Sequence, residues 1–136
     1  MSSRQSKAAA PLVLVVDDHD DNRQLYADYL ESVGYAVETA ENGQEAVILA
    51  RRLKPVAVVM DLTMPVMDGW EATQTLKSAP ATKDIWIIAV TAHADRQHVD
   101  RAYAAGADTF ALQPLAPKTL VELVAAAIAR ARGGRR

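Results

Sequence analysis

Leu12–Val16 (LVLVV), Val56–Met60 (VAVVM) and Ile85–Val90 (IWIIAV) are continuous apolar runs. Runs of this length, rich in β-branched residues and without polar alternation, predict strands buried on both faces. Two weaker strands are predicted at Tyr35–Thr39 and Thr109–Leu112. Helical periodicity fills the gaps. Leu25, Tyr26, Tyr29, Leu30 and Val33 form one stripe, closed by Gly34. Asn42 with Glu45 opens a second helix through Ala46, Leu49, Ala50 and Leu53, which Pro55 stops. Asp68 with Glu71 repeats the device before Trp70, Thr73 and Leu76. Val99, Ala102 and Tyr103 mark a shorter helix ending at Gly106. Pro117 suits a first helical position before Leu120, Leu123, Val124, Ala127 and Ile128.

Strands and helices therefore alternate five times with no internal linker. That order predicts an α/β fold, a mostly parallel sheet with helices on both faces. In such sheets ligands bind beyond the carboxyl ends of the strands. The chemistry is expected just after Val16, Met60, Val90 and Leu112.

Composition narrows the classes. The chain has 136 residues, half of them hydrophobic and 24% charged, which is enough for one domain with a core. It has no cysteine, so disulfides, thiolate metal sites and cysteine nucleophiles are excluded. The longest apolar run, Leu123–Ala129, is far too short for a membrane span. Ala8–Val16 imitates a signal-peptide core, but Asp17 and Asp18 follow at once with no cleavage site. The expectation is a soluble, cytoplasmic protein. Residues 1–10 are expected as a disordered tail, 11–130 as the domain and 131–136 as a basic tail. Net charge is −2, yet residues 11–128 hold nine basic against 17 acidic residues. An acidic body argues against nucleic acid as a partner. The basic ends are expected to be solvated.

At the expected edge stand Asp17 and Asp18, then Asp61, then Thr91, then Gln113 before Pro114. Singly, each has an ordinary reading. An Asp pair after a strand caps a helix or turn, and a strand-end threonine is common. Together they put three carboxylates in one small volume, which repel unless a cation or proton intervenes. Oxygen ligands with room for water suit Mg²⁺.

These residues carry a family resemblance. LVLVVDDHDDNR at 12–23, VVMDLTMPVMDGWE at 58–71, AVTAHA at 89–94 and AGADTFALQP at 105–114 resemble the response-regulator receiver domains of two-component signalling. The resemblance spans about residues 11–129. It implies a flavodoxin-like, doubly wound (βα)5 sheet with strand order 2-1-3-4-5, and a receiver of the stand-alone type. It further implies that Asp61 accepts a phosphoryl group from a histidine kinase or histidine phosphotransfer protein, with Mg²⁺ as cofactor. On this reading Asp18 and Asp61 ligate the metal directly, Asp17 acts through a metal-bound water, and the Thr63 carbonyl adds a ligand. Thr91 is the switch hydroxyl and Phe110 the aromatic that follows it, although core packing alone would also explain Phe110. Thr63 and His93 tune phosphoryl lifetime. Output passes to a protein target through the face of helix 4, strand 5 and helix 5. Such a protein is no enzyme in the usual sense, since it catalyses only its own phosphorylation and dephosphorylation.

Gln113 departs from the pattern, because the family carries lysine there. Glutamine keeps a donor but loses the charge. That loss is expected to weaken phosphoryl stabilisation about ten-fold or more. The alternative is an atypical receiver that binds partners independently of phosphorylation. Lys118, five residues on, is expected to point elsewhere. An aspartyl phosphatase of the haloacid-dehalogenase type would need a second aspartate at position 63, where Thr63 stands. A nucleotide-binding module would need a glycine-rich loop after Val16. His19, His93 and His98 form no metal motif. His19 and His93 are expected as exposed loop side chains and His98 as a surface residue. The spacing of His93 and His98 is a poor match for one helical face.

Overall fold

The computed structural model describes residues 10–64, 66–93 and 95–133, the last two without their side chains. Residues 1–9 and 134–136, which make up most of the two expected tails, lie outside the described residues, as do Pro65 and Ala94. The elements run β1 (Leu12–Val16), α1 (Asp20–Ser32), β2 (Ala36–Ala40), α2 (Gly43–Leu53), β3 (Ala57–Asp61), α3 (Gly69–Ser78), β4 (Trp86–Thr91), α4 (Arg96–Ala104), β5 (Thr109–Leu112) and α5 (Pro117–Gly133). The five strands form one parallel sheet in the order β2-β1-β3-β4-β5. This is the expected doubly wound sheet.

The continuous apolar runs work because each strand feeds two cores. Val13, Val15, Val59, Ile88 and Val90 pack with Tyr26 and Leu30 of α1 and Leu120, Val124 and Ala127 of α5. The alternate residues Leu14, Val16, Val58, Met60 and Ile87 pack with Ala46, Val47 and Ala50 of α2 and Ala72 and Leu76 of α3. A third group, Leu62, Trp70, Ala89, Ala102 and Ala107, lies under α4, with Phe110 packed against it.

Local signals behave largely as expected. The side chains of Asn42 and Asp68 accept from Glu45 N–H and Glu71 N–H at 2.9 Å each. The Glu45 carboxylate turns back to Glu41 N–H at 2.8 Å, one residue before the cap. Gly34 and Gly106 take φ of 105° and 109° beyond α1 and α4, where a side chain would be strained. Two helical stripes are narrower than expected. In α1 the sheet side is Tyr26, Ala27 and Leu30, and Leu25 and Val33 are exposed. In α4 only Ala102 is buried, and Tyr103 is exposed. Among the described residues no helix is long and apolar enough to cross a membrane.

Candidate functional site

Strand register assembles the site. Val16 pairs with Met60, so the residues following β1 lie beside the end of β3. Asp61 pairs with Val90 and Thr91 with Leu112. Gln113 N–H then donates to the Thr91 carbonyl at 2.9 Å. Asp17, Asp18, Asp61, Thr91 and Gln113 thus share one carboxyl edge of the sheet. Both Asp61 and Thr91 are paired strand residues, each one position past the apolar run that predicted its strand.

Two glycines let the β3–α3 connection close over this edge. A Cβ on Gly69 would stand 2.6 Å from Leu62 Cα and closer still to the Asp61 carbonyl oxygen. A Cβ on Gly43 would stand 2.9 Å from the Met67 carbonyl carbon. The same loop holds exposed Val66 at φ 71°, a costly conformation for a β-branched residue.

Asp17 and Asp61 are buried, and Asp18 is partly exposed. A carboxylate oxygen of each of the three and a ring nitrogen of His19 lie within 4.8 Å of one another. Asp17 Oδ1 accepts from His19 N–H at 2.8 Å, and His19 Nδ1 stands 3.2 Å from both Asp17 Oδ1 and Asp18 Oδ1. Asp61 Oδ1 accepts from Thr63 N–H at 3.1 Å. Asp17 Oδ2 and Asp18 Oδ1 are buried atoms with no hydrogen-bond partner among the described residues. Buried acceptors of this kind are costly and call for a cation or proton.

The electrostatics agree. Burial pushes the Asp61 carboxyl up to about 7, and the charges of Asp17 and Asp18 add to the push against the Thr63 N–H. Burial also raises Asp17, with His19 opposing. His19 is raised by its hydrogen bond to Asp17 and by the charges of Asp18 and Asp17. The unfilled oxygens and the all-oxygen acidic set fit Mg²⁺.

Two residues beside the site were given no role in it by the sequence. His19 is exposed, as expected, yet it bridges Asp17 and Asp18. Arg23 donates to the Asp17 carbonyl at 2.8 Å and pairs with Asp20. Its one legible signal is the i, i+3 spacing from Asp20 at the start of α1.

The remaining predicted residues spread outward. Thr91 is buried, and its Oγ1 accepts from His93 N–H at 3.2 Å. Phe110 is half-buried in the group under α4. Thr63 is exposed and meets Asp61 through its backbone. Gln113 is half-buried and precedes a cis bond to Pro114, and Lys118 is exposed on the first turn of α5. His93 is exposed in the loop before α4, as expected, and its ring stacks on that of His98 at 5.1 Å; the expectation of a surface His98 needs correction. His98 is half-buried against Trp70 at 5.5 Å, and Arg101 lies 4.0 Å over the Trp70 ring.

Residues 13–125 match the family model of the response regulator receiver domain. The chain belongs to that family. It is 32% identical over 112 residues to the polar-differentiation response regulator DivK of Brucella anthropi, covering 82% of this chain and 91% of that protein. The chemotaxis protein CheY4 of Vibrio cholerae superposes with a TM-score of 0.83 at 30% identity, covering 88% of this receiver and 99% of CheY4. The receiver domain of sensor histidine kinase PA1611 from Pseudomonas aeruginosa, solved with magnesium coordinated in its active-site cleft, gives 0.83 at 29% identity over 89% and 99% of the two chains. The present receiver is therefore a response-regulator module of two-component signalling, a family for which phosphorylation and Mg²⁺ are general features.

Proposed function

We propose that this receiver accepts a phosphoryl group on Asp61 from a phosphohistidine of a histidine kinase or phosphotransfer protein in the cytoplasm. One observation carries the reading: a buried carboxyl with a raised pKa, flanked by unpartnered oxygens of Asp17 and Asp18, at the same edge as Thr91. Asp18, Asp61 and the Thr63 carbonyl would hold Mg²⁺ directly, and Asp17 through water. When bound, the ion supplies positive charge that keeps Asp61 ionised and offsets the charge of the incoming phosphoryl oxygens.

The protein's own groups do the rest. An Asp61 oxygen forms the new bond to phosphorus while the phosphorus–nitrogen bond breaks and the imidazole leaves with its electron pair. Thr63 N–H holds the other Asp61 oxygen and orients the carboxylate. Thr91 donates its hydroxyl proton to a phosphoryl oxygen, while Oγ1 accepts from His93 N–H, and this draws the β4–α4 loop inward. Phe110, packed under α4, follows that movement. Thr63 and His93, at the rim, set access of water and hence phosphoryl lifetime. The output is a population shift in the α4–β5–α5 face that a protein target reads. The domain extends over residues 11–130.

Gln113 favours a second reading, a receiver that binds partners without phosphorylation. Intact-mass measurement after incubation with Mg²⁺ and a small phosphoryl donor separates the two. The expected result is one phosphoryl adduct, lost in Asp61→Asn. Gln113→Lys is expected to raise the adduct's rate or lifetime about ten-fold, the worth of adding a charge to one hydrogen bond. An adduct seen only in Gln113→Lys supports the second reading. No adduct in either protein refutes phosphoryl transfer to Asp61.

A further inference from the structure

The acidic pocket contains a nitrogen donor that the proposed Mg²⁺ chemistry does not use. His19 Nδ1 stands 3.2 Å from Asp17 Oδ1 and 3.2 Å from Asp18 Oδ1. A ring nitrogen of His19 belongs to the same set of atoms, within 4.8 Å of one another, as a carboxylate oxygen of Asp61. Donors at adjacent positions around a divalent ion with bonds of about 2.1 Å are spaced by about 3.0 Å in octahedral and about 3.4 Å in tetrahedral geometry. The imidazole is thus already at ligand spacing from two carboxylates; Nδ1 gives up the proton it shares with Asp17 to solvent when an ion takes that place. A second observation points the same way: Asp17 is 1% exposed, and its Oδ2 has no partner among the described residues.

We infer that His19 makes this pocket a mixed imidazole–carboxylate site that takes a divalent first-row transition ion, with His19 Nδ1 as a ligand, in preference to Mg²⁺. The physical reason is donor softness. Mg²⁺ gains little from imidazole and holds its waters, whereas Mn²⁺ and the later ions accept nitrogen ligands with affinity rising along the series. The side chain of His19 is 69% exposed at the mouth of the pocket, so it closes over an ion without disturbing a core. The backbone also holds the ring in place. His19 N–H is bonded to Asp17, and the His19 carbonyl accepts from Arg23 N–H at 3.0 Å as α1 begins.

The inference rests on the acidic pocket being a divalent site at all, and the test keeps the two failures apart. The full chain is loaded with Mn²⁺ and examined by pulsed EPR for modulation from a directly bound nitrogen. Mg²⁺ and Co²⁺ affinities are measured by calorimetry. Nitrogen modulation is expected in the parent and in a His93→Gln/His98→Gln double variant, and is expected to vanish in His19→Ala while Mn²⁺ stays bound. His19→Ala is expected to lower Co²⁺ affinity by at least the roughly ten-fold lost when an outer-shell partner of a metal is removed. Mg²⁺ affinity should change by less than about two-fold. Mn²⁺ bound without nitrogen modulation, or equal losses of Co²⁺ and Mg²⁺ affinity, overturns the role of His19 and leaves the Mg²⁺ reading standing. No binding of any of the three ions overturns both.

Discussion

Replacing Asp61 with asparagine should stabilise the metal-free protein, by an amount that depends on pH. In the native state the Asp61 carboxyl sits at about 7 because it is buried beside Asp17 and Asp18. In the unfolded chain it returns to about 3.9. A carboxyl whose folded value is raised binds its proton more readily when folded. Its contribution to stability is therefore complete below about pH 4 and is lost as pH rises toward 7. Each pKa unit is worth about 1.36 kcal/mol, so some three units give a ceiling near 4 kcal/mol lost by about pH 8. Asparagine is neutral throughout and keeps an oxygen for Thr63 N–H. Asp61→Asn should thus match the parent near pH 4 and exceed it by up to about 4 kcal/mol near pH 8, on the order of 10–15 °C in Tm. Thermal unfolding in a chelator, stepped from pH 4 to pH 8, measures this. Millimolar Mg²⁺ should narrow the gap, because the ion stabilises only the ionised cluster. A gain that is the same at both ends of the range, or none at all, would refute the electrostatic argument.

Two further substitutions test the scaffold. Gly69→Ala drives a methyl into the Asp61–Leu62 backbone and should cost about 3 kcal/mol in denaturant unfolding; a loss under about 0.5 kcal/mol would show that the loop yields freely. Lys77→Ala removes a part-buried pair with Asp108 and bonds to the Lys83 and Ile85 carbonyls at 3.1 and 2.8 Å. It should cost about 2–3 kcal/mol yet leave phosphoryl labelling of the folded fraction unchanged, because these contacts lie at the amino ends of β4 and β5, away from Asp61.

The sheet was legible because its strands are buried on both faces, which leaves short apolar runs rich in β-branched residues, whereas the apolar runs of the helices, Ala46–Ala50 and Leu123–Ala129, are rich in alanine. The acidic edge was legible because the βα order fixes which ends of the strands meet. Periodicity misjudged helix width. Leu25 and Val33 extended the α1 stripe on paper, yet the sheet covers only the arc through Tyr26, Ala27 and Leu30. Periodicity is also blind to loops. His93 and His98 meet because a loop folds back onto a helix, a contact that no helical spacing encodes. His19 bridges Asp17 and Asp18 through a turn that a linear motif does not describe.

On the proposed reading, the placement of charge around Asp61 gives position 113 its weight. Among the described residues, the nitrogen donors set against Asp17 and Asp18 are the His19 imidazole and, at the Asp17 carbonyl, the Arg23 guanidinium. Both belong to the β1–α1 side. On the β5 side stands Gln113, whose backbone is tied to Thr91 and whose side chain offers only a neutral amide. A phosphoryl group on Asp61 would therefore meet positive charge on one flank and neutral hydrogen bonds on the other. Attraction toward the β5 flank would then fall mainly to the Thr91 hydroxyl, whose O–H is free to donate while its oxygen accepts from His93 N–H. A neutral contact is worth about half a charged one or less. On the proposed reading, switching would lean on the placement of Thr91 Oγ1, which His93 N–H holds and the stack of His93 on His98, with the Trp70 ring beneath, supports.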